Sequence, residues 1–121
     1  MNIFFAVLIV LVVLLYLYQQ RKQGVLAANM ANEVKEKLAK GALVVDVRTS
    51  GEYAEGHYQD AKNIPLDQVA HRLSEFGDDK SKPIVVYCLS GARSESAKNF
   101  LTNQGYTDVT NAGGIGDMPN S

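Results

Sequence analysis

The longest apolar segment of the chain is Ile3 to Tyr18, sixteen residues without a charged or amide side chain. As a helix it is about 24 Å long, and Asn2 and the following glutamines extend it toward the ~30 Å hydrocarbon core of a bilayer. Tyr16 and Tyr18 lie where aromatic side chains favour the membrane interface. A core helix that is apolar all round would need a partner surface on every side, which a small domain can hardly supply. The pattern predicts a transmembrane helix at residues 1–20.

Positive charge follows this segment and does not precede it, since Arg21 and Lys22 come directly after the apolar run. A secretory signal has the opposite order, and the positive-inside rule places the basic end in the cytoplasm. We therefore expect a single-pass membrane protein that contacts the lipid bilayer through residues 3–18, with the remaining chain facing the cytoplasm. The small residues of Val25-Leu26-Ala27 resemble a signal-peptidase site, so export after signal cleavage stays an alternative.

Beyond this segment, helical and strand periods alternate along the chain. A tether runs from about Gln19 to Asn29, with a juxtamembrane linker at residues 21–29, and a single domain follows at residues 30–121. The predicted elements are a helix with Val34 and Leu38 on one face, strand Ala42 to Val47, a short helix after Thr49, a brief strand near Lys62 to Ile64, helix Leu66 to Phe76, strand Ile84 to Tyr87, a helix that buries Ala97, Phe100 and Leu101, and strand Asp108 to Thr110. Such alternation is typical of an α/β domain, a parallel sheet covered by helices on both faces.

The chemistry of this domain is expected in the loop from Cys88 to Arg93, because the only cysteine of the chain lies where a buried strand ends and a helix begins. Free amides and partial positive charge at a helix start stabilise an anion, and such settings depress a cysteine pKa from about 8.5 to as low as roughly 3.5 to 7.5. Gly91 allows the backbone to curl into an anion nest, and Arg93 adds a permanent donor. A buried, inert cysteine is the alternative.

The arrangement Cys-x-x-Gly-x-Arg after a buried strand resembles the active-site loop of the rhodanese family of sulfurtransferases. Further matches follow in the order of that family: Asp46-Val47-Arg48, Glu52-Tyr53, Gly56-His57, Ala61 with Asn63-Ile64-Pro65, and Gly113-Gly114-Ile115. The resemblance covers roughly residues 30 to 118. It implies a rhodanese-like, doubly wound parallel sheet flanked by helices.

The resemblance also implies a reaction. Cys88 would accept a sulfane sulfur from a donor such as thiosulfate or a persulfide, hold it as a persulfide, and pass it to a thiol or cyanide. The substrate-binding groups would be the amides of Leu89, Ser90, Gly91, Ala92 and Arg93. Because the chain has one cysteine, the acceptor thiol must come from outside. Two departures from the family pattern are Met118, where an aromatic residue, typically tryptophan, is usual, and the end of the chain at Ser121, from which we expect the closing helix of many relatives to be missing or very short.

Five other residues have structural interpretations. Asp46 and Arg48 are expected to support the site as an ion pair or turn-fixing pair at the carboxyl end of a strand, with substrate contact as the alternative. Glu52 stands three residues after Thr49, the spacing of a helix capping box. We expect His57 to be buried and hydrogen-bonded. His71 lies on the polar side of its predicted helix, and we expect neither histidine to be catalytic.

Several functions are disfavoured by the sequence. The domain has ten basic and thirteen acidic side chains, a net charge of −3, and no basic stripe that would bind nucleic acid. There is no ligand spacing for a metal, and no cofactor is implied. Related phosphatases have five residues between the cysteine and the arginine, whereas this loop has four, Leu89 to Ala92, so phosphatase or arsenate reductase activity is the weaker enzymatic alternative. A membrane-bound module that binds sulfur or senses thiols without turnover is a rival of another class.

Overall fold

The computed structural model describes residues 2–119. Met1, Asn120 and Ser121, with which the predicted segments begin and end, lie outside the described residues. The chain divides into two compact units between Met30 and Ala31. Helices and strands are, in order, α1 (Ile3–Ala39), β1 (Leu43–Asp46), α2 (Ser50–Ala54), β2 (Lys62–Asn63), β3 (Ile84–Cys88), α3 (Ala92–Asn103) and β4 (Val109–Gly114), with 3₁₀ helices at Leu66–Gln68, Leu73–Phe76 and Ile115–Asp117.

The N-terminal unit holds α1 from Ile3 to Met30. Its large apolar side chains from Ile3 to Tyr18 are 47–79% exposed. By length and composition α1 is a candidate membrane span, and a signal sequence has the same features. The helix that was expected to begin after the tether at Gln19 to Asn29 begins earlier, because α1 runs without a break through these residues. Residues 19–29 contain several good helix formers and no proline, and the single glycine, Gly24, is not enough to break the helix.

The second unit is built on a parallel sheet with strand order β2-β1-β3-β4. Side chains alternate between its two faces. On one face Val45, Ile84, Val86 and Cys88 pack with Ala97 and Leu101 of α3. On the other, Val44, Val85 and Tyr87 pack with Val34 of α1 and with Met118. Helices therefore cover both faces, as the sequence predicted, and Met118 fills the second core, where it is 7% exposed.

The prediction of a helix from Leu66 to Phe76 was wrong. The segment forms two 3₁₀ helices instead, at Leu66–Gln68 and Leu73–Phe76. Leu66 and Val69, and again Leu73 and Phe76, are three residues apart, which matches the three-residue turn of a 3₁₀ helix. Both pairs reach the core without a continuous α-helix.

Candidate active site

Cys88 is the last residue of β3, at the carboxyl edge of the sheet. All five residues of β3 are buried, and Cys88 is 1% exposed. The chain leaves the strand through Leu89 and Ser90 and enters α3 at Gly91, the N-cap residue, whose φ of 103° lies in the left-handed region. Glycine adopts this conformation without steric cost, so the loop turns back over the sulfur.

Hydrogen-bond donors surround the Cys88 sulfur. The Gly91 amide lies 2.9 Å from Sγ and the Ser94 hydroxyl 3.3 Å from it. Burial raises the pKa of Cys88, but the Ser94 hydroxyl and the amides of Ser94, Gly91 and Ser90 outweigh it and lower the pKa to about 7. A thiol in this setting is about half ionised at neutral pH, so the loop favours the nucleophilic form.

The side chains of the remaining loop residues are exposed or bind groups other than the sulfur. Leu89 is 60% exposed and Ala92 is exposed as well. The two terminal nitrogens of Arg93 bind the Glu52 carboxylate, at 2.7 and 3.0 Å. From the sequence we expected this guanidinium to donate to a bound anion. In the structure its two terminal nitrogens form an ion pair that connects α3 to α2.

Glu52 therefore serves two structural purposes. It completes the predicted capping box, because its amide donates to Thr49 Oγ1 and its carboxylate accepts from the Thr49 amide. The Arg93 guanidinium, together with the Thr49 amide, lowers the pKa of Glu52 to about 2. The carboxylate is charged throughout the physiological range and neutralises Arg93.

Asp46 and Arg48 form the ion pair that the sequence predicted. Arg48 Nη2 lies 2.7 Å from Asp46 Oδ2, and the Arg48 amide also donates to Asp46 Oδ1. Both residues are buried, at 0% and 5% exposure. The same guanidinium donates to the Gly56 carbonyl, so the pair fixes the turn after β1.

His57 lies near this turn but is exposed, so its expected burial was wrong. Its ring stacks on Tyr53 with centroids 3.7 Å apart, and Nδ1 lies 3.1 Å from the Tyr53 carbonyl oxygen, which confirms the expected hydrogen bond. Stacking on a helix end satisfies the ring without insertion into the core. His71 is also exposed.

The Gly113-Gly114 pair lies directly behind the active loop. A Cβ on Gly114 would be 2.2 Å from the Leu89 carbonyl oxygen, and one on Gly91 would be 3.3 Å from the Gly113 Cα. The register of β3 and β4 shifts here, so that Val86 pairs with Asn111 but Tyr87 pairs with Gly113. The bulge and the two glycines allow strand and loop backbones to touch.

Two residues that sequence reasoning did not assign to the site connect this bulge to the sulfur. Ser94 is fully buried, and its hydroxyl lies 2.7 Å from Asn111 Oδ1. Asn111 Nδ2 donates to the Gly91 carbonyl and to Glu95, and the Gly113 amide donates to Oδ1. Ser94 could have been suspected from its place on the first helical turn, three residues after Gly91. Nothing in the sequence indicates Asn111, which is 17 positions from Ser94.

A shallow cleft borders the Arg93 side of the loop, with a volume of about 340 Å³. It is lined by Val47, Thr49, Pro65, Leu66, Asp67 and Arg93. Most of this lining is apolar, and its single cation is the one that Glu52 neutralises. Among residues 2–119, no three His, Cys, Asp or Glu side chains are grouped so that they could hold a metal ion.

Comparison with known proteins agrees with this geometry. A family model described as a rhodanese-like domain matches residues 30–116. The chain is 43% identical over 74 residues to thiosulfate sulfurtransferase PspE of Escherichia coli, and this alignment covers 61% of this chain and 71% of that protein. It is 40% identical over 94 residues to a sulfurtransferase of Allochromatium vinosum, covering 71% and 86%. A solved rhodanese with anions from E. coli superposes with a TM-score of 0.61 at 42% identity, over 64% of this chain and 94% of that one.

Proposed function

Because the chain belongs to the rhodanese-like domain family, we propose that it is a sulfurtransferase that carries a sulfane sulfur on Cys88. The observation that carries this proposal is the donor set around Sγ, with the Gly91 amide at 2.9 Å and the Ser94 hydroxyl at 3.3 Å. These donors stabilise a thiolate, and the same loop amides suit the negative terminal sulfur of a persulfide.

The proposed reaction has two displacement steps. In the first, the Cys88 thiolate attacks the outer sulfur of thiosulfate, a bond forms between Sγ and that sulfur, the S–S bond of thiosulfate breaks, and sulfite leaves with the electron pair. In the second, an acceptor thiolate or cyanide attacks the terminal sulfur of the persulfide, and Sγ leaves as a thiolate. The chain has a single cysteine, so an external acceptor completes the cycle.

The experiment that tests this activity is thiocyanate formation from thiosulfate and cyanide by the full chain in detergent. Cys88→Ser removes the nucleophile and is expected to abolish transfer. Ser96→Ala is the matched control, because Ser96 is an exposed residue of the same helix, α3, and is expected to leave the rate unchanged. Full activity of the Cys88→Ser variant would exclude the persulfide route.

The near-complete burial of Cys88 favours one alternative, a module that binds one sulfur or senses thiols without turnover. At 1% exposure the thiol offers little surface to a donor or an acceptor, which suits a group that holds one sulfur without turning over. Steady-state measurement separates the two functions, because an enzyme releases many product molecules per chain whereas a binding module stops after one.

For the N-terminal helix we propose a retained anchor, with residues 3–18 in the bilayer and residues 30–121 as a cytoplasmic domain joined through residues 21–29. The support is the position of Arg21 and Lys22 after the apolar run. Membranes washed at alkaline pH should keep the protein, and protease added outside intact cells should not reach the domain. Release by the wash, with a mature N-terminus near Val25-Leu26-Ala27, would instead support export after cleavage.

A further inference from the structure

The Ser94 hydroxyl has more acceptors around it than it can serve. Its oxygen lies 2.7 Å from Asn111 Oδ1, 3.1 Å from the Gly91 carbonyl oxygen, 3.3 Å from Cys88 Sγ and 3.4 Å from the Gly113 carbonyl oxygen. A hydroxyl carries one hydrogen, so it donates to one of these groups at a time. Ser94 is fully buried, so water does not compete for that hydrogen.

The orientation of the Asn111 amide follows from its other neighbours. The Gly91 carbonyl and the Glu95 carboxylate can only accept, so they face Nδ2, and the Gly113 amide can only donate, so it faces Oδ1. Ser94 therefore meets an acceptor. While Cys88 is a neutral thiol, the shortest and strongest acceptor for the hydroxyl hydrogen is Oδ1, at 2.7 Å. Once Cys88 is a thiolate, the charged sulfur becomes the stronger acceptor.

We propose that Ser94 and Asn111 act as a two-position hydrogen-bond switch for Cys88, in which Asn111 holds the Ser94 hydrogen until the sulfur becomes anionic. When the thiol proton leaves to solvent, the hydroxyl rotates its hydrogen from Asn111 Oδ1 to Sγ. When Sγ becomes the neutral inner sulfur of a persulfide, the hydrogen returns to Oδ1. Ser94 is the residue that contacts the reacting atom, and Asn111 is a positioning residue that acts through it.

The charged groups beside the loop are already committed to other partners. Arg93 of α3 pairs with Glu52 of α2, and Glu95 of α3 accepts from Asn111. Asp46, the last residue of β1, pairs with Arg48, and Asp117 accepts from the Gly114 amide at 2.8 Å. The hydroxyl is thus the side-chain donor nearest the sulfur, in agreement with its contribution to the lowered pKa of Cys88.

The test is a pH titration of the thiolate ultraviolet absorbance, on the full chain in detergent and without a sulfur donor. Because Cys88 is the only cysteine, the thiolate signal has one source. We expect Ser94→Ala to raise the Cys88 pKa by about 1, since a charge-assisted hydrogen bond is lost. We expect Asn111→Ala to lower it by about 0.5, because the competing acceptor is gone, and to have no effect in a Ser94→Ala background.

The double variant separates this switch from simple loosening of the loop, which would shift the pKa equally in both backgrounds and overturn the proposal. An unchanged pKa in Ser94→Ala would overturn it too. If Asn111→Ala does not fold, Asn111→Asp serves instead, because its carboxylate holds the hydroxyl hydrogen more tightly. It should raise the Cys88 pKa more with Ser94 present than with alanine there, and equal shifts would contradict the switch.

The role of the switch in turnover rests on the proposed function, but the titration does not. With a pKa of about 8 the thiolate fraction at pH 7 falls about fivefold, and the greater nucleophilicity of a more basic thiolate recovers part of that loss. Ser94→Ala should therefore transfer sulfur about two- to fivefold more slowly at pH 7 and as fast as the wild type at pH 9. Absence of transfer in every variant, with the expected pKa shifts intact, would reject the enzymatic proposal and keep the switch.

Discussion

Gly114 offers the sharpest steric test of how the active loop is held. Its φ of −93° is open to any residue, so an alanine there meets no backbone strain. The obstacle is the Leu89 carbonyl oxygen, which would lie 2.2 Å from the new Cβ, with the carbonyl carbon at 3.0 Å. Both atoms belong to the backbone, so no side-chain rotation relieves the clash.

The size of the displacement can be worked from these distances. Real Cβ atoms essentially never lie within 3.0 Å of such an atom, so strand and loop must separate by about 0.8 Å. A shift of that size in the loop can lengthen the 2.9 Å contact between the Gly91 amide and Cys88 Sγ and so weaken this hydrogen bond. We expect Gly114→Ala to cost about 1–3 kcal/mol of stability, to raise the Cys88 pKa, and to lower kcat/KM by about 10²-fold.

Gly116→Ala is the matched control, because nothing lies within 4 Å of a Cβ at that position, two residues away. Both variants would be compared in sulfur transfer, in thiolate titration and in urea unfolding followed by circular dichroism. Gly116→Ala should match the wild type in all three measurements. A Gly114→Ala variant with the wild-type rate and the wild-type Cys88 pKa would refute the argument that strand β4 positions the loop.

Three further outcomes follow from the ionised groups. The pKa of Cys88 is lowered to about 7, so the thiolate stabilises the folded state, and this stabilisation grows as the pH rises from about 7 to 9 and is lost below pH 7. Urea unfolding of Cys88→Ala should show no such rise in the free energy of unfolding with pH. Arg48→Met leaves Asp46 buried and unpaired and should cost about 3–5 kcal/mol, whereas an unchanged unfolding midpoint would contradict that pair's role. Glu52→Gln keeps the helix cap but removes the negative charge that neutralises Arg93. The Arg93 guanidinium can then attract thiosulfate, so KM for thiosulfate should fall by up to about fivefold, and a higher KM would contradict this role of Glu52.

Features set by neighbouring residues could be predicted from the sequence. A buried strand, a cysteine and a glycine at a helix start define the position of the loop, and the Thr49 to Glu52 spacing defines the cap. The predicted sheet followed from alternation of helix and strand periods. Each of these predictions rests on the spacing of residues a few positions apart, which the periodicity of the sequence shows directly.

Features set by distant residues could not be predicted in the same way. The partner of Arg93 is 41 positions away, and Asn111 reaches the loop only through a bulge in β4. The error at Leu66 to Phe76 has a different cause, because a spacing of three residues fits both an α-helix and successive 3₁₀ turns. His57 shows that a histidine can be satisfied by stacking at the surface as well as by burial.

A persulfide on Cys88 would be seen in the intact mass of the full chain after incubation with thiosulfate and removal of excess donor. We expect a mass increase of one sulfur atom that cyanide or a dithiol reverses and that Cys88→Ser lacks. An unchanged mass, or the same increase in Cys88→Ser, would contradict it.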